Sequence, residues 1–153
     1  MKVAKQKSQA LARLAALVRQ MKIGMLTTIE ADGSLRSRPL ETVEFDPEGR
    51  LWFFTEAHSP KSERAQAGDH QVSLCYADPR DEDFASISGT ARVVRDEGKM
   101  RALWNSGLER WFARGLEDPD LALLEVRIDK AEYWDEPRRE NVKIGTLTAQ
   151  DQR

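Results

Sequence analysis

Leu35–Lys61 reads LRSRPLETVEFDPEGRLWFFTEAHSPK, and its punctuation organises the rest of the chain. Arg36 and Arg38, two residues apart, share one face of an extended segment. Asp46-Pro47-Glu48-Gly49 is a turn signal, and Leu51–Glu56 is a second, strongly apolar strand. Ser59 followed by Pro60 marks a helix start: a hydroxyl cap, then a proline at the first helical position. Lys61 in that first turn opposes the helix dipole, and a bound anion resolves the conflict. Symmetric pairing about Pro47–Glu48 sets Arg38 across from Ala57 and His58, beside the helix start. The stretch therefore predicts a phosphate pocket of Arg38, Ser59 and Lys61, with Arg36 as a lesser member. The competing reading pairs both arginines with Glu30, Glu41 or Glu44.

Working outward, the extended runs are 24–30, 35–45, 51–56, 71–77, 84–95 and 121–134, with a second turn at Ala31-Asp32-Gly33-Ser34. The first three read as a meander of adjacent hairpins. In the last run Ala122, Leu124, Val126 and Ile128 alternate with Leu123, Glu125, Arg127 and Asp129, the period of two of a strand. Leu11, Leu14, Val18 and Met21 make an apolar stripe along a helix over 3–21. Shorter helices are expected over 60–67, over 97–104 behind an Asp96 cap, and over 108–114 ending at a left-handed Gly115. Six strands with few, short helices predict a mainly β fold, an antiparallel barrel rather than a doubly wound sheet. Residues 1–137 form one domain and 138–153 a polar, loosely ordered tail.

The 153 residues carry a net charge of −2, which argues against a general nucleic-acid or anionic-membrane binder. No run reaches transmembrane length and no hydrophobic leader opens the chain, so a cytoplasmic protein is expected. The single cysteine, Cys75, reads as a buried small side chain. Two histidines, His58 and His70, lack partners at metal-ligand spacing, so no metal site is expected. Four tryptophans (Trp52, Trp104, Trp111 and Trp134) suit a packed barrel and a subunit interface. Trp111 or Trp134 is also a candidate to stack on an aromatic ligand, Trp134 because it closes the last strand beside Asp135.

These residues resemble the pyridoxamine 5′-phosphate oxidase-like split barrels, within them the general stress protein 26 group. The resemblance is carried by Arg38-Pro39-Leu40, Leu51-Trp52-Phe53-Phe54-Thr55, Ser59-Pro60-Lys61, Trp104, Trp111-Phe112-Ala113-Arg114-Gly115, Asp118-Pro119 and Ala131-Glu132-Tyr133-Trp134-Asp135, in that order. It implies a six-stranded split barrel that dimerises and binds FMN, with FAD as the alternative, in clefts between subunits. The cofactor contacts it implies fall on the segment starting at Arg38, with Pro39 and Leu40, on Phe54 and Thr55, and on Lys61 at the phosphate; Arg36, Ser37 and Ser59 complete the candidate cofactor set. The chain departs from authentic pyridoxamine phosphate oxidases in having no histidine after His70, which argues against vitamin B6 oxidation. If it is an enzyme, it is a flavin-dependent oxidoreductase whose electron donor and acceptor the sequence does not encode. The alternatives are a flavin sensor or storage protein without turnover, or a split barrel holding haem or a deazaflavin.

Overall fold

The computed structural model describes residues 2–56, 70–135 and 145–148, with side chains from residue 9 to 135 inside those ranges. Its helix α1 (Lys2–Met21) leads into one antiparallel sheet of eight strand segments. These are β1 (Ile23–Ile29), β2 (Leu35–Glu41), β3 (Glu44–Phe45), β4 (Arg50–Glu56), β5 (His70–Asp78), β6 (Asp83–Val94), β7 (Leu121–Trp134) and β8 (Gly145–Thr148). The order across the sheet is β2-β1-β5-β6-β7-β4-β3, and β8 pairs with the far end of β7. The two edges, β2 and β3, are joined by Thr42 and Val43 alone. Three residue steps span about 11 Å at most, so the sheet must roll until its edges nearly meet. The result is the expected split barrel, with eight strand segments among the described residues where six were expected, because 35–45 divides and β8 is added, and it is open along the seam between β2 and β4.

This crossover corrects the expected meander. The run over 35–45 is two strands, and β2 pairs with β1 rather than continuing the β3–β4 hairpin. The hairpin ladder pairs Glu44 with Trp52 and Phe45 with Leu51, and ends at Val43, whose N–H donates to the Trp52 carbonyl. Thr42 N–H already turns to the carbonyl of Lys22, at the start of β1.

Leu51-Trp52-Phe53-Phe54 is apolar throughout because β4 is covered on both faces. Leu51 and Phe53 point into the barrel core, with Leu26, Leu74, Tyr76, Ile87 and Val126. Trp52 and Phe54 point outward under Met100 of α2 (Glu97–Leu103) and Leu108 of a 3₁₀ turn, Ser106–Arg110. The α1 stripe, extended by Ala15 and Leu17, packs on the inner cluster. In β7 the inward set Val126 and Ile128 gives way to Ala131 and Tyr133, because a bulge opposite Ser88 and Gly89 shifts the parity by one.

Asp96 caps α2 as expected, accepting from Lys99 N–H at 3.1 Å. The helix expected over 108–114 does not form: the segment is the 3₁₀ turn just named, then a second one, Gly115–Glu117. Gly115 is left-handed, with φ +60, as its type predicts. Cys75 is exposed, not buried, since Val72, Leu74 and Tyr76 take the inward positions of β5 and leave it outside. Within the tail expected to be loose, Gly145–Thr148 forms β8. The helix expected over 60–67, together with His58, Ser59 and Lys61, lies outside the described residues.

Candidate functional site

A cavity of about 360 Å³ lies in the seam of the barrel, within the size range of small-molecule sites. From β2 it is lined by Arg36, Arg38, Pro39, Leu40 and Glu41, and from β4 by Phe54, Thr55 and Glu56. Leu108, Trp111 and Phe112 form its third wall. The alternation of β2 explains its polarity. Arg36, Arg38 and Leu40 share one face with Thr28, Leu26 and Gly24, their direct partners across the β1 ladder. Five residue steps lead from Arg36 to Glu41, roughly 17 Å of strand. Phe54 is in edge contact with Trp104 at 5.3 Å and Phe112 at 6.4 Å.

The guanidinium of Arg38 is fixed by its own hairpin. Its Nη2 donates to Thr28 Oγ1 at 2.7 Å and its Nη1 to the carbonyls of Leu26 and Arg36, at 3.3 and 3.4 Å. Partial burial holds its pKa below the ordinary arginine value; the charge of Arg36 lowers it further and Glu30, 4.0 Å away, raises it. Arginine nonetheless stays charged, so Arg38 presents a cation to the cavity. The competing ion pairs are mostly used elsewhere. Glu41 bonds Arg110 at 2.9 Å and Glu44 bonds Lys99 at 3.1 Å, leaving Glu30 as the carboxylate near Arg38.

Seven of the residues singled out from sequence therefore meet at one cavity: Arg36, Arg38, Pro39, Leu40, Phe54, Thr55 and Trp111. Ser37 takes the opposite face of β2, its hydroxyl 2.6 Å from that of Thr27. Its backbone, with the Pro39 carbonyl, faces the open edge, because even-numbered residues of β2 form the bonded pairs with β1. A proline is tolerated at such an edge, where no ladder donor is missed. Trp134 stands opposite Phe84, twelve residues along β7 from Ala122, the partner of Thr55, and is not in the cavity lining. The hairpin ladder of β3 and β4 covers Glu44 and Phe45, and residues 57–58, which its extension would set across from Arg38, lie outside the described residues. Arg38 nevertheless shares its cavity with the end of β4.

Glu41, Glu56, Leu108 and Phe112 complete the lining, and Arg110 stands behind it. Sequence reasoning passed over them as site residues. Phe112 was within reach, being part of the Trp111–Gly115 motif. The Glu41–Arg110 contact joins positions 69 apart and has no local signature.

Fold and site together define a split β-barrel with an amphiphilic cavity in its seam. The chain belongs to the pyridoxamine 5′-phosphate oxidase like family, whose model matches residues 9–151. Among curated relatives it is similar to Protein bli-3 of Neurospora crassa, 28% identical over 130 residues. That match takes in 78% of this chain and 62% of bli-3, so the chain spans less than two thirds of that relative's length. A Clostridium acetobutylicum protein related to general stress protein 26 of B. subtilis shares the fold, with TM-score 0.74 and 21% identity over 95% of this chain and 98% of its own. The general stress FMN/FAD binding protein of Xanthomonas citri is 28% identical, with TM-score 0.69, covering 84% of this chain and 91% of that one. A heme binding protein of Mycobacterium smegmatis shares the fold alone, at 12% identity and TM-score 0.65, covering 97% of this chain and 59% of its own.

Proposed function

We propose that the protein binds a flavin, FMN or alternatively FAD, in the seam cavity and acts as a general-stress-type flavoprotein. The observation that carries this reading is the make-up of the cavity lining, in which the cations Arg36 and Arg38 meet the aromatic Phe54, Trp111 and Phe112. A flavin mononucleotide asks for the same pair of features, a cationic contact for its phosphate dianion and a flat, mostly apolar surface for its ring. Arg38 and Arg36 would hold the phosphate, with Ser59 and Lys61 joining them from the segment that follows β4. Leu40, Phe54, Thr55 and Trp111 would flank the ring and keep water from it. When bound, the isoalloxazine supplies one- and two-electron transfer, and the chain supplies orientation, dryness and local charge. The lining of the cavity among the described residues contains no histidine, cysteine, methionine or tyrosine, the side chains that usually ligate haem iron.

The reading includes a homodimer. Ile29 and Leu35 face each other across the β1–β2 ladder at 64% and 71% exposure, and Met25 and Ile23 extend the same outward face. An apolar row of this kind is characteristic of an interface.

The test is the visible spectrum of the purified protein before and after adding FMN, followed by titration of the Arg38→Ala and Lys61→Ala variants. Loss of one charge-assisted contact, ~1.5–3 kcal/mol, weakens binding by about ten- to a hundredfold. A colourless protein that ignores FMN refutes the cofactor. Unchanged affinity in both variants refutes the phosphate assignment. Consumption of a reduced nicotinamide by the flavin-loaded protein separates an enzyme from a sensor or storage protein.

A further inference from the structure

We infer that Arg110 is a positioning residue for the cavity, holding the Trp111 indole as a stacking wall for a planar ligand ring. The inference rests on the flavin reading above and names the wall on which the ring packs.

Glu41 closes β2 and lines the cavity, and its side chain is only 5% exposed. A carboxylate so placed needs a partner, and Arg110 Nη2 supplies it at 2.9 Å. Arg110 itself is more than half exposed, so its own burial does not explain where it sits. Its guanidinium carbon lies 5.0 Å from the centre of the Trp111 ring. The buried carboxylate therefore pins a cation, and the cation caps one face of an indole.

Trp111 contrasts with Trp52. Trp52 is buried in the layer outside β4, where its Nε1 donates to Asp46 at 3.0 Å. Trp111 is 39% exposed and lines the cavity. Its backbone is set by the 3₁₀ turn, with Trp111 N–H bonded to the Leu108 carbonyl and Leu108 buried beneath. That leaves the side-chain torsions, which the Arg110 stack restricts. With one face of the indole taken by the guanidinium, a guest ring stacks on the other.

The bland alternative is that Glu41–Arg110 merely ties the 104–120 segment to β2. Arg110→Lys, which keeps the tie without the flat stack, separates the two, and ligand selectivity shows which end of the ligand is affected. FMN and riboflavin share a ring and differ in the phosphate, so a ring-wall defect weakens both equally, whereas a phosphate defect weakens FMN alone.

The experiment titrates the full chain with FMN and with riboflavin, reading quenching of the ligand's fluorescence. The variants are Arg110→Gln, Arg110→Lys and Trp111→Leu, with Arg38→Ala as the phosphate control, and thermal melts are recorded for each. Arg110→Gln and Trp111→Leu are expected to weaken both ligands by the same factor, about two- to tenfold for one stacking contact. Arg110→Lys keeps the charge paired with Glu41 but lacks the flat fork, and falls between Arg110→Gln and the parent protein. Arg38→Ala weakens FMN alone. Wild-type affinity for both ligands in Arg110→Gln overturns the inference. So does an Arg110→Gln defect confined to FMN, or one accompanied by a loss of thermal stability where Arg110→Lys fully restores both the stability and the affinity for both ligands. A parent protein that binds neither ligand fails at the earlier step, refuting the flavin reading itself.

Discussion

The hydrogen bond between Thr42 and Tyr76 should be worth more than its size implies, because it anchors the crossover that forms the seam. The two hydroxyl oxygens are 2.6 Å apart, and both residues are buried, Tyr76 to 1% exposure. Tyr76→Phe removes one hydroxyl without opening a large void, and it strands the other in a dry environment. Leaving a buried group unsatisfied costs about 1–3 kcal/mol. For a chain of about 150 residues that corresponds to a fall in Tm of roughly 3–10 °C. Thr42→Val strands the Tyr76 hydroxyl and should cost a similar amount. The double variant leaves no orphan, so its loss should fall short of the sum by about 1 kcal/mol. The assay is urea unfolding of all four proteins at neutral pH, compared by midpoint at constant slope. A Tyr76→Phe protein within ~0.5 kcal/mol of the parent, or single losses that simply add, would refute the argument.

Three further outcomes follow from the same packing. Burial raises the Tyr76 phenol above its ordinary value, with the Thr42 hydrogen bond opposing in part, and Tyr133 is raised as well, by burial first and then by Asp135. Because the folded state favours the neutral phenol, this stability is fully present below about pH 10 and is lost as pH rises above it. Unfolding midpoints measured from neutral to strongly alkaline pH should show that decline, shallower in Tyr76→Phe. A Cβ at Gly89 would lie 2.6 Å from the Arg127 carbonyl oxygen, so Gly89→Ala should destabilise by about 1–3 kcal/mol, and an unaltered Tm would contradict the bulge argument. Ile29→Asp combined with Leu35→Asp should shift the protein from dimer to monomer in sedimentation, and a monomeric parent protein would refute the interface.

What could be read early was whatever local chemistry enforces. The α1 stripe, the Asp96 cap, the left-handed Gly115 and both β-turns depend on neighbours within a few residues, and each is found. The Asp46 turn shows the mechanism: its carboxylate accepts from the backbone of Glu48 and Arg50, two and four positions on. Arg36 and Arg38 were likewise placed on one face by the period of a strand. The 3₁₀ geometry after α2 was not legible, because Leu108 and Phe112 at helical spacing are recruited by Phe54 and Trp104 from other elements.

By itself, then, the sequence determined a mainly β chain, most of its strand and turn positions, and two arginines on one face of a strand. Tertiary structure alone decided that β2 abandons its hairpin after Thr42, that Cys75 faces outward, and that Trp111 rather than Trp134 lines the seam with Arg38. The physical reason is the distance over which each choice is made. Caps, turns and strand faces are settled by bonds a few residues apart. Strand order, the seam, and the pairing of Glu41 with Arg110 become favourable only once the sheet has rolled and distant positions share one dry space.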